Sequence, residues 1–387
     1  MLTRNAVIGL LSFLTLIDLF GAQALLPKLT AAYGVDPATM GFAVNATTLG
    51  MAAAGLAVAY FSRHIDRKTG IWISLALLSV PTFLLGIVED LTLFTVLRIV
   101  QGLLMSAAFT LTMAYLAERC SAAEAVGAMA AYITGNVVSN LLGRLMAASF
   151  ADMFGLSGSF WAFAALNLLG AALAAHCLTQ ATPREAEGPG ESPFTVWGRH
   201  LANPALQAGF AIGFLILFVF LSVFTYVNYV LASPPFDLTS TQLGLVYFVF
   251  LPAVLTTPFA GTLVTRYGVI RTFVLSMGVA AIGIAGLLSP NLGVVLFGLA
   301  LVGVGTFCAQ AAVTGFIGSA AATDRAAASG LYLASYYLGG LVGAFVVGRI
   351  FAAAGWGGSV AAVLVATALS FLFATRLRQS RLERTPT

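Results

Sequence analysis

The chain has 387 residues, of which 60% are hydrophobic and 8% charged, with a mean hydropathy of +0.98. A soluble domain is about half apolar and about a quarter charged, so no water-soluble fold hides this much apolar surface. The net charge of +4 does not imply nucleic acid, because the basic residues sit in the connections between apolar runs.

In chain order, apolar runs fall near 4–27, 38–61, 70–88, 91–116, 126–151 and 159–179, then near 204–232, 239–263, 271–289, 291–318, 327–353 and 358–375. A membrane-spanning helix needs about 20 mainly apolar residues. The reading is therefore an all-α integral membrane protein of twelve spans. The runs are continuous, not alternating, which excludes a transmembrane barrel. The first run has no small-residue cleavage site and reads as an uncleaved span. One connection, 180–203, is long and polar, with Pro183, Arg184, Glu185, Glu187, Pro189, Glu191 and Pro193. It divides the chain into a six-span bundle over 1–179 and a second over 204–387 that ends in a basic tail.

With the N-terminus in the cytoplasm, Arg4, Arg63, Arg67, Lys68, Arg119, Arg184, Arg199, Arg266, Arg271, Arg325, Arg376, Arg378, Arg381 and Arg384 are inside, and Lys28 alone is outside. That asymmetry places both termini in the cytoplasm. The halves also repeat at an offset near 200. Tyr132 and Gly155 answer to Tyr332 and Gly355, and the connection after span 2 answers to the one after span 8. Transporters built from parallel six-span repeats bind their solute at the midplane between the halves.

Several stretches carry a family resemblance. Gly261-Thr-Leu-Val-Thr-Arg266-Tyr-Gly268, followed by Arg271, is similar to a Gly-x-Leu-Ala-Asp-Arg-x-Gly loop. The connection after span 2, with Arg63, Asp66, Arg67 and Lys68, is a degenerate copy. Span 4 carries Arg98-Ile-Val-Gln101-Gly102, and span 5 carries Gly135-Asn136 and Gly143-Arg144. Span 11 carries Ala328-Ser-Gly-Leu-Tyr332-Leu, then Tyr336-Tyr-Leu-Gly339. Over its whole length the chain resembles the major facilitator superfamily, its twelve-span drug/proton antiporters and their YnfM-like branch of efflux permeases. The resemblance implies two pseudo-symmetric bundles, alternating access, and loops that latch the halves. The loop acid that serves as latch is replaced here by Arg63 and Thr265, Asp66 lies three positions away, and span 5 lacks the antiporter Gly-Pro pair.

Asp18, Arg98, Arg144 and Arg349 are the ionisable residues within apolar runs. A charge at the bilayer centre costs at least about 2.5–3.5 kcal/mol on insertion scales, so each needs a cavity or a partner. Asp18 is the sole acid in the twelve runs. It is the candidate proton-coupling carboxyl, with Arg98 as its neighbour; the alternative is a structural ion pair. Arg144 lines a solute cavity or snorkels to the outer interface, and Arg349 favours snorkelling. Gln23, Asn45, Asn136, Asn140, Tyr226, Asn228, Tyr247, Gln310, Tyr332 and Tyr336 are the polar candidates for cavity lining, against interhelical hydrogen bonding. Tyr332 and Tyr336 share a helix face, which is expected to point into the cavity near Asn136.

Cys120, Cys177 and Cys308 have no metal or redox spacing, and Met105 and Met113 are not at i, i+4. There is no nucleotide-binding or metalloprotease motif, and His64, His176 and His200 lie in or near connections. No cofactor or metal is expected. The leading function is proton-coupled export of a small organic solute by a monomer in a bacterial inner membrane. Uptake or facilitated transport of a metabolite is the alternative, with a non-transporting sensor or scaffold from another class. Cysteine placed at the central connection tests the topology: Ser192→Cys should react with a membrane-impermeant maleimide only after the cytoplasmic face is opened, and labelling of intact cells from outside would reverse the orientation.

Overall fold

The computed structural model describes residues 2–61, 66–119, 122–179, 192–321 and 325–377, and among these there is no strand. The first half of the chain contains α1 (Leu2–Ala24), α2 (Leu26–Tyr33), α3 (Pro37–Asn45), α4 (Thr47–Phe61), α5 (Arg67–Leu85), α6 (Leu91–Arg119) and α7 (Ala122–Cys177). The second half contains α8 (Pro193–Ala202), α9 (Pro204–Leu231), α10 (Ser240–Val246), α11 (Leu251–Thr256), α12 (Ala260–Tyr267), α13 (Val269–Gly286), α14 (Leu292–Ala320) and α15 (Arg325–Ala374). Helices dominate because lipid offers no hydrogen bonds, so each spanning segment must satisfy its own backbone.

Polar residues bound the apolar runs. Asp36 accepts from the amides of Ala38 and Thr39 at the start of α3. Asn203 caps α9 and Asn291 caps α14 in the same way. A hydrogen bond from the Thr39 hydroxyl holds the Asp36 carboxyl below the usual carboxylate range, helped by the amide donors.

Nine helices among the described residues are long and apolar enough to cross a membrane, or ten with the bent pair Thr241–Thr256 and Ala260–Tyr267. Two of the nine run for 44 and 48 residues, which at 1.5 Å per residue is about twice a bilayer core of roughly 30 Å. Each is interrupted by one glycine, Gly155 (φ 74°) or Gly355 (φ 65°). Positive φ is open to glycine at little cost, so the two breaks fall 200 positions apart at residues without a side chain. Dividing both helices there gives eleven candidate spans among the described residues, or twelve if the bent pair counts as one span. No separate loop stands between residues 151 and 159; helix stops and restarts at Gly155.

The repeat is physical. Each half packs its first span against its fifth, α1 on α7 and α9 on α15. A Cβ on Gly135 would lie 2.0 Å from the Gly9 carbonyl oxygen; 200 positions on, the Ser335 hydroxyl donates to the Phe210 carbonyl at 2.9 Å. Gly143 abuts Ile17 as Gly343 abuts Phe218. Between α4 and α6 the approach is reciprocal, since a Cβ on Gly50 would lie 1.9 Å from the Ile99 carbonyl oxygen and one on Gly102 would lie 1.9 Å from that of Thr47. Small residues let backbones approach where lipid supplies no hydrophobic drive for helix association.

The halves meet where α2, α3, α4 and α7 face α9, α10 and α15. Irregular backbone lies at this contact. The helix between α10 and α11 is a 3-10 turn, Tyr247–Phe250, where Pro252 removes an amide donor and crowds the preceding turn. The second span breaks at Ala46, between α3 and α4. In the region read as a linker, α8 packs on α9 and α15, burying Val196 and His200 and exposing Phe194 and Leu201.

Gly50→Leu should force α4 from α6, costing on the order of 1–3 kcal/mol as overpacking does. A lower melting temperature in detergent, unmatched by Gly55→Leu, which has open space beside it, is the expected result.

Candidate functional site

The contact plane between the halves is organised around a buried cation. Asn136, Asn140 and Arg144 follow each other at four-residue spacing on α7 and so share a face. Asn136 is half-buried, Asn140 is 1% exposed and Arg144 is 0% exposed. The Arg144 guanidinium carbon lies 4.1 Å from the Tyr247 ring centroid, 5.3 Å from that of Phe250, and 5.5 Å from those of Phe20 and Phe224. These rings come from α1, α9 and the 3-10 turn after α10, so both halves contribute. Cation–π contacts of this kind are worth roughly 0.5–2 kcal/mol each. Snorkelling to an interface is excluded for this side chain.

Amides join the cation to the halves. Arg144 Nη2 donates to Gln23 Oε1. Gln23 Nε2 donates to Asn45 Oδ1 at 2.9 Å, and Asn45 Nδ2 donates across the contact to Thr225 Oγ1 at 3.0 Å. Tyr247 donates its hydroxyl to Asn228 Oδ1 at 2.7 Å, and Asn228 Nδ2 reaches the Gln23 carbonyl at 3.3 Å. The structure thus brings together Gln23, Asn45, Arg144, Asn228 and Tyr247.

Tyr226 points elsewhere, its hydroxyl donating to the Ala344 carbonyl at 2.5 Å. Tyr332 packs its ring on Gly213 and takes a 3.5 Å hydrogen bond from Thr314, inside the second half. Tyr336 lies between Tyr332, tilted at 6.1 Å, and Tyr337, edge-on at 5.5 Å. Both rings are buried, and among the described residues no hydrogen bond ties Asn136 to them. Gln310 on α14 is half-buried and outside the network.

A second polar system lies within the first half. Asp18 is two residues from Phe20, about 200° around α1, so it faces away from Arg144. Its Oδ2 accepts from Asn167 Nδ2 at 2.7 Å and Thr82 Oγ1 at 3.0 Å. Gln101 Nε2 donates to Thr82 at 2.7 Å. The pairing expected between Asp18 and Arg98 takes another form. Arg98 reaches the main-chain carbonyls of Val44, at 2.9 Å, and of Asp18, at 3.3 Å, and Gln101 Oε1 at 2.7 Å. Asp18 Oδ1 and Arg98 Nη2 have no hydrogen-bond partner. Asn167 and Thr82 escaped the sequence reading; a lone amide in a long apolar run was the available signal for Asn167.

The Major Facilitator Superfamily profile matches residues 8–236 and 227–387. The chain belongs to the Major Facilitator Superfamily. Among relatives, it is 28% identical to the inner membrane transport protein YnfM of Escherichia coli over 93% of this chain and 87% of that protein. It is 26% identical to the uncharacterized MFS-type transporter YybF of Bacillus subtilis, over 90% and 86%. In fold it is similar to an inward-facing bacterial homologue of the human lysosomal transporter Spinster, with a TM-score of 0.77, 13% identity and 97% of each chain covered. It is likewise similar to the nucleoside transporter NupG, with a TM-score of 0.76, 14% identity, and 97% and 99% covered. Members of this superfamily are membrane transporters and not enzymes.

The superfamily loop residues have varied settings. Asp66 caps α5, accepting from the Thr69 amide at 2.8 Å. Arg67, in the first turn of α5, is buried, and Lys68 is half-buried. Arg63 lies outside the described residues. Gly261 to Tyr267, read as a loop, is helical and belongs to α12; only Gly268, with φ 82°, separates it from α13. Arg266 lies 5.3 Å from the Tyr267 ring and Arg271 is exposed. At the opposite end of the bundle, Lys28 pairs with Asp152 at 2.5 Å, and Asp152 accepts from Thr241 of the second half. No group of three or more metal-ligating side chains occurs among the described residues.

Arg98→Met should cost on the order of 2–4 kcal/mol, because it leaves buried carbonyl groups of two helices without a donor. Asp18→Asn keeps a hydrogen-bonding group and removes a buried charge, so it should be neutral or stabilising. Thermal unfolding of the purified proteins at one pH separates the two.

Proposed function

We propose that the chain is a secondary active transporter of the inner membrane that exports a small organic solute in exchange for protons by alternating access. The solute sits at the contact plane around Arg144, Asn140, Gln23 and Tyr247, and Asp18 carries the proton. The reading rests on one observation above others: two buried charged groups, each with polar atoms that lack a partner, meet α1 on different faces. Arg144 is reached by Phe20 and Gln23 on one face of α1, and Asp18 lies on the other. A helix that moves between access states displaces both.

The Lys28 end is then periplasmic, and both termini are cytoplasmic, as the charge asymmetry requires. The Lys28–Asp152–Thr241 contact and the 2.7 Å hydrogen bond between Thr30 and Tyr229 hold that end of the two halves together. Arg67, Lys68, Arg266 and Arg271 sit at the other end, where they make and break contacts as the halves rock. The similarity to YnfM, an inner membrane transport protein, supports the location. The protein works as a monomer, with solute, protons and lipid as its partners.

Asp18→Asn in proteoliposomes tests the coupling. Solute binding and solute exchange should persist, and accumulation driven by a pH gradient should be lost. A mutant that still concentrates solute under that gradient would make Asp18 structural.

A further inference from the structure

The charge at Arg144 is uncompensated. Among the described residues no carboxylate lies within ion-pair distance of it. A guanidinium carries five N–H donors, and the three on Nε and Nη1 have no partner although both atoms are buried. A buried unpaired cation is costly, and aromatic faces offset only part of that cost. One turn earlier on the same face, both the Nδ2 and the Oδ1 of Asn140 are buried without a partner. Native proteins rarely leave such groups unsatisfied, and each one asks for an explanation.

We propose that Arg144 is the recognition point for an organic monoanion, a carboxylate on an apolar or aromatic body. The free N–H donors of Arg144 would bind the carboxylate and Asn140 would add a hydrogen bond, as charge-assisted pairing favours. Phe20, Phe224 and Tyr247 would then release the cation and enclose the apolar part of the solute. The single positive charge sets the valence: no other cation lies over any of these rings among the described residues. A dianion would leave one negative charge unpaired in the closed site, and a cationic or neutral solute would leave Arg144 unpaired. The site is built from both halves, so binding also draws them together. This inference rests on the transport reading, because the site is the one proposed to hold the solute.

The test uses full-length protein in detergent and in proteoliposomes, with four acids, acetate, butyrate, benzoate and indole-3-acetate, each against its neutral amide. At least one acid should raise the melting temperature in a saturable way, and its amide should not. Arg144→Gln should weaken that acid by tenfold or more, Arg144→Lys by less, and Gly55→Leu, with open space beside it, should leave it unchanged. If Arg144→Gln does not fold, Asn140→Ala should still weaken the acid severalfold without creating affinity for the amide. No response to any of the four acids, or equal responses to acids and amides, overturns the proposal. Flux of a neutral or cationic compound under a pH gradient, with the acids ignored, would keep the transport reading and reject the anion. Arg144-dependent acid binding with no flux under any gradient would do the reverse.

Discussion

A guanidinium placed in a membrane protein without a counter-ion has to be held by something. In this chain four aromatic rings and one glutamine amide hold Arg144. The groups that receive it belong to α1, α9 and the 3-10 turn at Tyr247–Phe250, so the two halves share the burden of one charge. The backbone irregularity beside Pro252 suits this arrangement. A regular helix through Tyr247 and Phe250 would present the two rings about 300° apart in sequence order, and tightening the turn adjusts how both face the cation.

The two polar systems of the first half touch at one peptide. Arg98 donates to the carbonyl of Val44, and the next residue, Asn45, bridges Gln23 and Thr225. That peptide is where α3 gives way to α4, one residue before the break at Ala46. The Asp18 network and the Arg144 network are therefore contiguous through α3 as well as through α1. Both bundles are otherwise joined by close backbone contacts at glycines, which permit rigid units with little side chain between them.

Much of the architecture was legible in the sequence because lipid imposes simple rules. Spanning segments must be long, apolar and helical, and basic residues must mark one side. The offset of 200 was visible in Tyr132 and Tyr332 and in Gly155 and Gly355, and the structure supplies its content in equivalent contacts of the first and fifth spans. Asn136, Asn140 and Arg144 were each legible as polar residues of an apolar run, and α7 puts them on one face.

What the sequence by itself determined was the class, the spans and a short set of polar residues that the bilayer would not tolerate alone. It did not determine their partners. Whether Arg144 snorkels or turns inward depends on rings contributed by residues 20, 224, 247 and 250, which spacing along one helix does not bring together. Asp18 and Arg98 were near each other by topology, but rotation about α1 decided that the arginine meets a carbonyl and the carboxylate meets Asn167 and Thr82. Burial cost is a property of a residue and can be read from the chain; its compensation is a property of neighbours in three dimensions, and only the tertiary structure assigns it.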